Sequence, residues 1–360
     1  MWDYQEFKPP FRRAEQGTLA NSSFIEKPMD GLKITLACWE YDRTRALFDG
    51  RVRPKGVDLE LWSTFNVGEL MERMVRHRQF EVSELGLTYY LRSLELPDPP
   101  FIAIPVFPNR FFRHSAIFVN TTAGLRSPRD LAGRRVGELN RYGHDAGIWA
   151  KGALSDDFGV RTSSMVHYVG GMERTGTEPD WAPFDPPPDV AIRRLSADQG
   201  LDDLLMNGEI DALFSAHIPP SARKHPDRVQ RLFPNFEDVE RDYYSRTGIF
   251  PIMHTVVIRR EIYESHRWIA RTMMTAFEEA KAIAAKAYNA GDMFSSAHVM
   301  IPWFNSLRDR NRMLMGNDYW PYGIERNRKA LEACLRYHRE QGLLKRPYKL
   351  EELFAPETIH

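Results

Sequence analysis

From Leu32 onward the chain changes repeatedly between apolar runs that read as strands and longer stretches with a helical period. The first strand covers 33–39 and is followed by a short helix near Thr44–Phe48. A strand at 57–62 and a helix at 67–78 come next. FEVSELGL enters as a strand and passes into the helix TYYLRSLEL, and FIAIPVF returns as a strand. HSAIFVN, His114–Asn120, then opens a second unit with no helical crossover before it. In SPRDLAGRRVGE, Ser127 is placed to cap a helix, with Pro128 at its first position and Asp130 three residues after the cap. The strand RRVGE, a helix from about His144 to Phe158, the strand MVHYVGG, the Pro-rich loop EPDWAPFDPPPD, the helix ADQGLDDLLMNGE and the strand IDALFSA follow. FPIMHTVVIRR leads into a long amphipathic helix from Glu261 to about Tyr288 and a largely helical remainder. Apolar strands alternating with helices predict an α/β protein whose sheets are mostly parallel and covered on both faces.

The order of these units implies two lobes. Residues 119–250 are expected as an insertion into a first lobe made from 31–118 and 251–360. HSAIFVN and MHTVVIRR then serve as two crossing strands, with a ligand cleft between the lobes at the carboxyl ends of the strands. Residues 1–30 read as an arm, whose Trp2, Tyr4, Phe7 and Phe11 point to packing on another surface or subunit; with the Pro-rich loop, it leads to the expectation of a homo-oligomer.

Charge changes this picture little: Lys plus Arg and Asp plus Glu both number 49. No overall field draws the molecule to nucleic acid or to a membrane surface, so anion recognition has to be local. Cys38 and Cys334 stand far apart in apolar surroundings and read as buried reduced thiols rather than a disulfide or a thiolate metal site. The N-terminal stretch lacks the apolar core of a Sec signal, and no run of about 18 apolar residues occurs. A cytoplasmic location is the expectation.

HExxH, CxxC, Walker A and GxSxG are all absent, and the eleven histidines lack ligand spacing, so no metal is expected. What remains is a set of polar residues at strand ends. Arg43 and Arg45 follow the first strand; they either pair with acidic side chains or meet a ligand carboxylate, which the planar guanidinium fits bidentately. In FPNRFFRHS, Arg110, Arg113 and His114 lie among Phe107, Phe111 and Phe112, which suits an aromatic acid or, alternatively, an arginine ladder bracing the crossing. Ser83 and Glu84 in EVSELGL precede a helix, where the carboxylate is either a cap or a general acid/base. His254 is an imidazole in the second crossing strand, either a core histidine or a partner of His114 at the crossing. Tyr322 in NDYWPYGIERNRKAL offers its phenol to the cleft or to packing.

Taken together, YDRTRALFDGRVRPKGVDLE, FEVSELGLTYYL, FIAIPVFPNRFFRHSAIFVN, DLAGRRVG, GEIDALFSA, TGIFPIMHTVVI and WPYGIERNRKALE resemble the 4,5-dihydroxyphthalate decarboxylase family over about residues 31–345. The resemblance implies the two-lobed, doubly crossed fold of type II periplasmic substrate-binding proteins. It also implies loss of carbon dioxide from a hydroxylated aromatic dicarboxylate to give 3,4-dihydroxybenzoate, with no cofactor, since the hydroxylated ring is its own electron sink. On this footing Glu84, His114 and His254 are expected to share the acid and base roles. Arg43, Arg45 and Arg113 are expected to hold carboxylates, with Ser83, Arg110 and Tyr322 in the substrate site. GELNRYGHDAGIWAKGAL departs from the family, whose members carry a PEYQ-T-A-like segment there; Asn140, Arg141, Tyr142 and His144 are therefore expected to set substrate preference. The alternative is a non-catalytic protein that binds a small acid in the same cleft. A third relationship, to the pyrimidine-synthesising members of the superfamily, is disfavoured because they use a cysteine-rich segment.

Overall fold

The computed structural model describes residues 31–174, 181, 186–289 and 299–359. The expected arm, 1–30, and most of the Pro-rich loop lie outside the described residues. The strands are β1 (Leu32–Ala37), β2 (Val57–Trp62), β3 (Val82–Gly86), β4 (Phe101–Ile104), β5 (Ile117–Asn120), β6 (Arg135–Leu139), β7 (Val166–Gly170), β8 (Ala191–Arg194), β9 (Ala212–Phe214), β10 (Val229–Arg231) and β11 (His254–Arg259). They form two sheets, ordered β2-β1-β3-β11-β4 and β10-β5-β9-β6-β7-β8. In the first, β1 runs parallel to β2 and β3 while β11 is antiparallel to β3 and β4. In the second, β5 is antiparallel to β10 and β9, and the other pairs are parallel.

The helices are α1 (Arg45–Phe48), α2 (Val67–His77), α3 (Leu87–Ser93), α4 (Asp145–Phe158), α5 (Leu201–Asn207), α6 (Pro220–Lys224), α7 (Phe236–Thr247), α8 (Arg260–Ser265), α9 (Trp268–Asn289), α10 (Phe304–Met315) and α11 (Arg328–Glu340). The single helix expected from Glu261 to about Tyr288 is two, because the backbone at His266 leaves the helical region (φ −143°, ψ 61°). The helix expected after Ser127 is one 3-10 turn, Pro128–Leu131, held by a capping box between Ser127 and Asp130. Among the described residues, no helix is long and apolar enough to cross a membrane.

HSAIFVN and MHTVVIRR do not themselves cross between the sheets. β5 lies wholly in the second sheet and β11 in the first. The crossings are the stretches just before them, which run side by side. Phe111 N–H donates to Pro251 O at 3.2 Å, Met253 N–H donates to Asn109 O at 2.9 Å, and Arg110 bridges Ile252 in antiparallel fashion.

One hydrophobic core spans the first sheet and extends to Tyr142, Ile148, Trp149 and Val169 of the second unit. Polar contacts follow the same seam. Trp149 Nε1–H donates to Ile252 O at 2.9 Å, Gln341 Nε2–H to Ile148 O at 3.0 Å, and Tyr142 Oη–H to Gln341 O at 3.1 Å. The two sheets are thus joined by packing around α4 and α11 as well as by the crossings.

Candidate active site

β3 lies mid-sheet and is buried at every position, so a carboxylate within it must find its partners inside the protein. Glu84 does so with both oxygens. Oε1 accepts from Tyr41 Oη at 2.6 Å and from His254 Nδ1 at 2.6 Å. Oε2 accepts from Trp39 N–H at 2.9 Å and from Cys38 Sγ at 3.4 Å. The donors come from the turn that follows β1 and from the first residue of β11. Burial alone would raise the carboxyl pKa, but the hydrogen bonds from His254, Tyr41 and Trp39 outweigh it and hold Glu84 below the usual range. An ionised Glu84 only accepts, so this network assigns the His254 proton to Nδ1. Nε2 then carries no hydrogen and accepts no hydrogen bond among the described residues.

His144 presents the opposite tautomer. As N-cap of α4 its Nδ1 accepts from Ala146 N–H at 3.3 Å, which puts the hydrogen on Nε2. Burial, with Arg113 and Arg141 nearby, lowers its pKa to about 3, so the ring is a neutral donor. Asp145 follows at the start of α4 and accepts from Thr88 N–H at 2.8 Å. Burial raises its pKa against the opposing pull of His254, Thr88 and Arg113. A side chain on Gly86 would meet Asp145 Oδ2 at 2.5 Å, so glycine is required where β3 and α4 approach.

Arg113 supplies positive charge to the same cluster. It is buried, its guanidinium donates to Met253 Sδ at 3.2 and 2.7 Å, and it lies 5.0 Å from the Phe111 ring centroid. No oxygen among the described residues accepts from it. Burial lowers its pKa to about 10, against Asp145 and Glu240, so it stays a cation. His217, exposed in the turn after β9, is held below the ordinary imidazole range by partial desolvation and by the charge of Arg113. Among the described residues, no group of three His, Cys, Asp or Glu side chains could hold a metal ion.

Other expected residues have different surroundings. Arg43 stacks between Tyr41 and Trp320, 4.0 and 4.1 Å from their ring centroids, and its Nε–H donates to Pro108 O at 2.6 Å. With Asp42 taking another donor at 3.0 Å, it braces Tyr41 from behind. Arg45 is 60% exposed and pairs with Glu40 at 3.2 Å, an ordinary surface pair. Ser83 Oγ–H donates to Glu84 O at 2.8 Å from within the core. Arg110 donates to Phe250 O at 3.1 Å, to Pro321 O at 2.6 Å and to Asn327 Oδ1, which is the bracing alternative. His114 does not join His254: its ring lies between Phe233 and Tyr243, with centroids 5.3 and 5.1 Å away, and burial lowers its pKa to about 4. Asn140 is exposed and turns the chain out of β6 with φ 63°, its N–H donating to Gly170 O at 2.7 Å. Tyr322 is buried beneath Lys281, whose Nζ is 4.6 Å from its ring centroid.

No protein-family model matches the chain. It is 31% identical over 331 residues, 92% of its own length and 98% of the relative's, to 4,5-dihydroxyphthalate decarboxylase of Comamonas testosteroni. The chain belongs to the 4,5-dihydroxyphthalate decarboxylase family. The relative of the same name in Pseudomonas putida is 31% identical over 216 residues, 60% of this chain and 83% of that one. Among solved structures, a periplasmic sulfonate-binding protein of Methylobacillus flagellatus matches with a TM-score of 0.53 at 13% identity, covering 92% of this chain and 93% of that one. This family member therefore has the two-lobed binding-protein fold. The same likeness overturns the cytoplasmic placement, since it places the chain in a fold used by a protein of the periplasm.

Three residues of this family member's cluster escape the sequence reading: Tyr41, Asp145 and His217. Asp145 alone carried a signal, an acidic residue at the start of the helix in the divergent segment. A further pair lies beneath them. Glu138 and Lys151 are fully buried with Nζ 2.8 and 3.0 Å from the carboxylate oxygens, and Glu138 Oε1 accepts from Gly143 N–H at 3.0 Å. That bond fixes the turn carrying His144 and Asp145.

Proposed function

We infer that the cleft decarboxylates a hydroxylated aromatic dicarboxylate, 4,5-dihydroxyphthalate or a close analogue, to the corresponding dihydroxybenzoate. The observation that carries this reading is the 2.6 Å bond from His254 Nδ1 to Glu84, which fixes the tautomer of an imidazole near an N–H donor, His144, and near Arg113, a buried cation that makes no ion pair among the described residues. In the proposed reaction the ring hydroxyl para to the departing carboxylate ionises, and its oxygen is held by His144 Nε2–H. The imidazolium of His254, stabilised by Glu84 as it forms, delivers its proton to the ring carbon bearing that carboxylate. The bond from that carbon to the carboxylate then breaks, its electron pair returns to the ring, and carbon dioxide leaves. The phenolate is reprotonated and His254 recharged, so one proton is consumed overall. Arg113 holds the carboxylate that stays, and holding it away from the departing group keeps the binding energy from stabilising the ground state alone.

Incubation of the protein with 4,5-dihydroxyphthalate should release carbon dioxide and 3,4-dihydroxybenzoate in equal amounts. In deuterium oxide the product should carry deuterium at the vacated ring carbon. Binding without product would leave the small-acid-binding alternative instead. The continuous core between the sheets favours a preformed catalytic cleft over a binding protein that opens widely.

The homo-oligomer is part of the same reading. Met300, Trp303 and Met313 are 101%, 85% and 80% exposed around the start and along the length of α10, more apolar surface than a lone chain needs. Light scattering on the purified protein should report a mass above one chain; a monomer at micromolar concentration would refute it.

A further inference from the structure

The proposed reaction leaves one proton without a carrier, that of the ring hydroxyl as it ionises, and one buried carboxylate without a task, Asp145. Strand register puts that carboxylate next to His254. Gly86 of β3 and His254 of β11 are cross-strand partners. Leu87 N–H donates to Met253 O at 2.7 Å, so Gly86 and His254 form the adjoining pair, whose side-chain places share one face with Cβ positions about 4.5–5.5 Å apart. Glycine leaves its own place empty. Asp145 fills it from α4, with Oδ2 2.5 Å from where a Gly86 Cβ would stand. Glu84, two residues earlier on β3, lies on the same face, so His254 has a carboxylate on either side.

The two carboxylates are differently occupied. Glu84 receives donors on both oxygens, from Tyr41 and His254 on one and from Trp39 and Cys38 on the other. Asp145 Oδ1 accepts from Thr88 N–H at 2.8 Å, doing for the start of α3 what its N-cap, Gly86, has no side chain to do. The Thr88 hydroxyl is committed elsewhere. His338 Nδ1–H donates to Cys334 O at 2.7 Å, burial lowers the pKa of that ring to about 4 and keeps it neutral, and its Nε2 therefore accepts from Thr88 Oγ–H at 3.1 Å. Among the described residues, Asp145 Oδ2 accepts no hydrogen bond. A capping role accounts for Oδ1 and leaves unexplained a bare oxygen opposite His254. Burial also pushes the Asp145 carboxyl up while hydrogen bonds hold Glu84 down, the divergence that separates a carboxylate able to take up a proton from a fixed anion.

We propose that Asp145 is a catalytic base of the cleft, whose Oδ2 takes the proton of the ring hydroxyl para to the departing carboxylate and returns it to the phenolate once carbon dioxide has left. The inference rests on the decarboxylase reading and supplies the transfer that reading leaves open. As the O–H bond of the ring hydroxyl breaks, its electron pair stays on the ring oxygen, held by His144 Nε2–H, and the O–H bond to Oδ2 forms. The return transfer reverses this step. The one proton consumed in a turnover is then the one that His254 delivers to carbon.

Asp145→Asn tests the role, because the amide keeps an oxygen for Thr88 N–H and cannot act as a base. With 4,5-dihydroxyphthalate its kcat should fall about 10²–10⁴-fold, the usual yield of a positioned base. The second substrate is the difluorinated analogue with a fluorine beside each hydroxyl, assayed at a pH where that hydroxyl is already ionised in solution. On it Asp145→Asn should lose no more than about tenfold relative to the unsubstituted chain, since no base is then required. Comparing both substrates on the same sample cancels any loss of folded protein. An equal loss on the two substrates would make Asp145 a cap only and overturn the proposal, as would a kcat for 4,5-dihydroxyphthalate within about threefold of the unsubstituted chain. In both cases turnover by the unsubstituted chain leaves the decarboxylase reading standing. No product from the unsubstituted chain would overturn that reading and the role of Asp145 with it.

Discussion

Glu84→Gln is the substitution that tests the cleft most directly, because it keeps shape and removes only charge and acceptor symmetry. One oxygen of Glu84 faces Trp39 N–H and Cys38, the other faces Tyr41 and His254. A glutamine has one oxygen and one NH2 group to share between these two sides. The backbone N–H of Trp39 cannot reverse, so the glutamine oxygen settles there and its NH2 turns toward Tyr41 and His254. Tyr41 can rotate its hydroxyl and accept. His254 can accept at Nδ1 only as the other tautomer, with hydrogen on Nε2, and it can no longer be an imidazolium hydrogen-bonded at both nitrogens. The residue then neither takes up nor delivers a proton at Nε2. A wrong tautomer of this kind in a carboxylate-histidine pair lowers kcat by about 10⁴-fold, and a loss of about 10³–10⁴-fold is expected here. Stability should change far less, by about 1–3 kcal/mol, because the lost charge-assisted bonds are partly offset by no longer burying an ion. The assay is single-turnover formation of 3,4-dihydroxybenzoate by chromatography, with thermal unfolding of the same sample. A folded Glu84→Gln protein with kcat within threefold of the unsubstituted chain would refute the proton-carrier role of His254.

Arg113→Ala should raise KM about 10–100-fold, the equivalent of losing charged hydrogen bonds of about 1.5–3 kcal/mol, with a smaller change in kcat; an unaltered KM in initial-rate measurements would place the spectator carboxylate elsewhere. Gly86→Ala should lower kcat steeply, because the new methyl meets Asp145 Oδ2 at 2.5 Å and pushes the start of α4, with His144, out of place; wild-type kinetics would mean that α4 does not contribute to the cleft. His114 has a folded pKa of about 4, against 6.5 when unfolded. Between those values the unfolded chain holds a proton that the folded chain does not, so stability falls as pH drops from about 6.5 to 4, by at most about 3 kcal/mol from this group. His144 and His338, at about 3 and 4, act in the same direction. His114→Phe should therefore flatten part of the acid limb in denaturant titrations at pH 7 and 4.5 while leaving kcat unchanged, and an unchanged pH slope would count against a buried neutral imidazole.

The physical reasons that made some features readable and others not are visible in particular residues. Strands buried on both faces announce themselves as apolar runs, and β4 and β11 were readable for that reason. β8, AIRR, is an edge strand with three of its four residues exposed, and α7, FEDVERDYYSRT, buries only Tyr243, so neither carries a period to detect. Charged residues inside apolar strands are costly unless paired, which is why Glu84 and His254 stood out as candidates. The arginines were harder because a position near a strand end does not fix the direction of a long side chain. Arg110 and Arg113 are three residues apart, yet one spends its donors on Phe250 O, Pro321 O and Asn327 while the other meets only the Met253 sulfur and the Phe111 ring. Free donor capacity, not proximity to the strand, separates a ligand-binding arginine from a brace. The two imidazoles carry the same lesson further. His254 takes its tautomer from a carboxylate 170 residues away and His144 from an amide two residues away. Both are histidine in the sequence, and only the folded partners make one the carrier of a proton and the other a neutral donor.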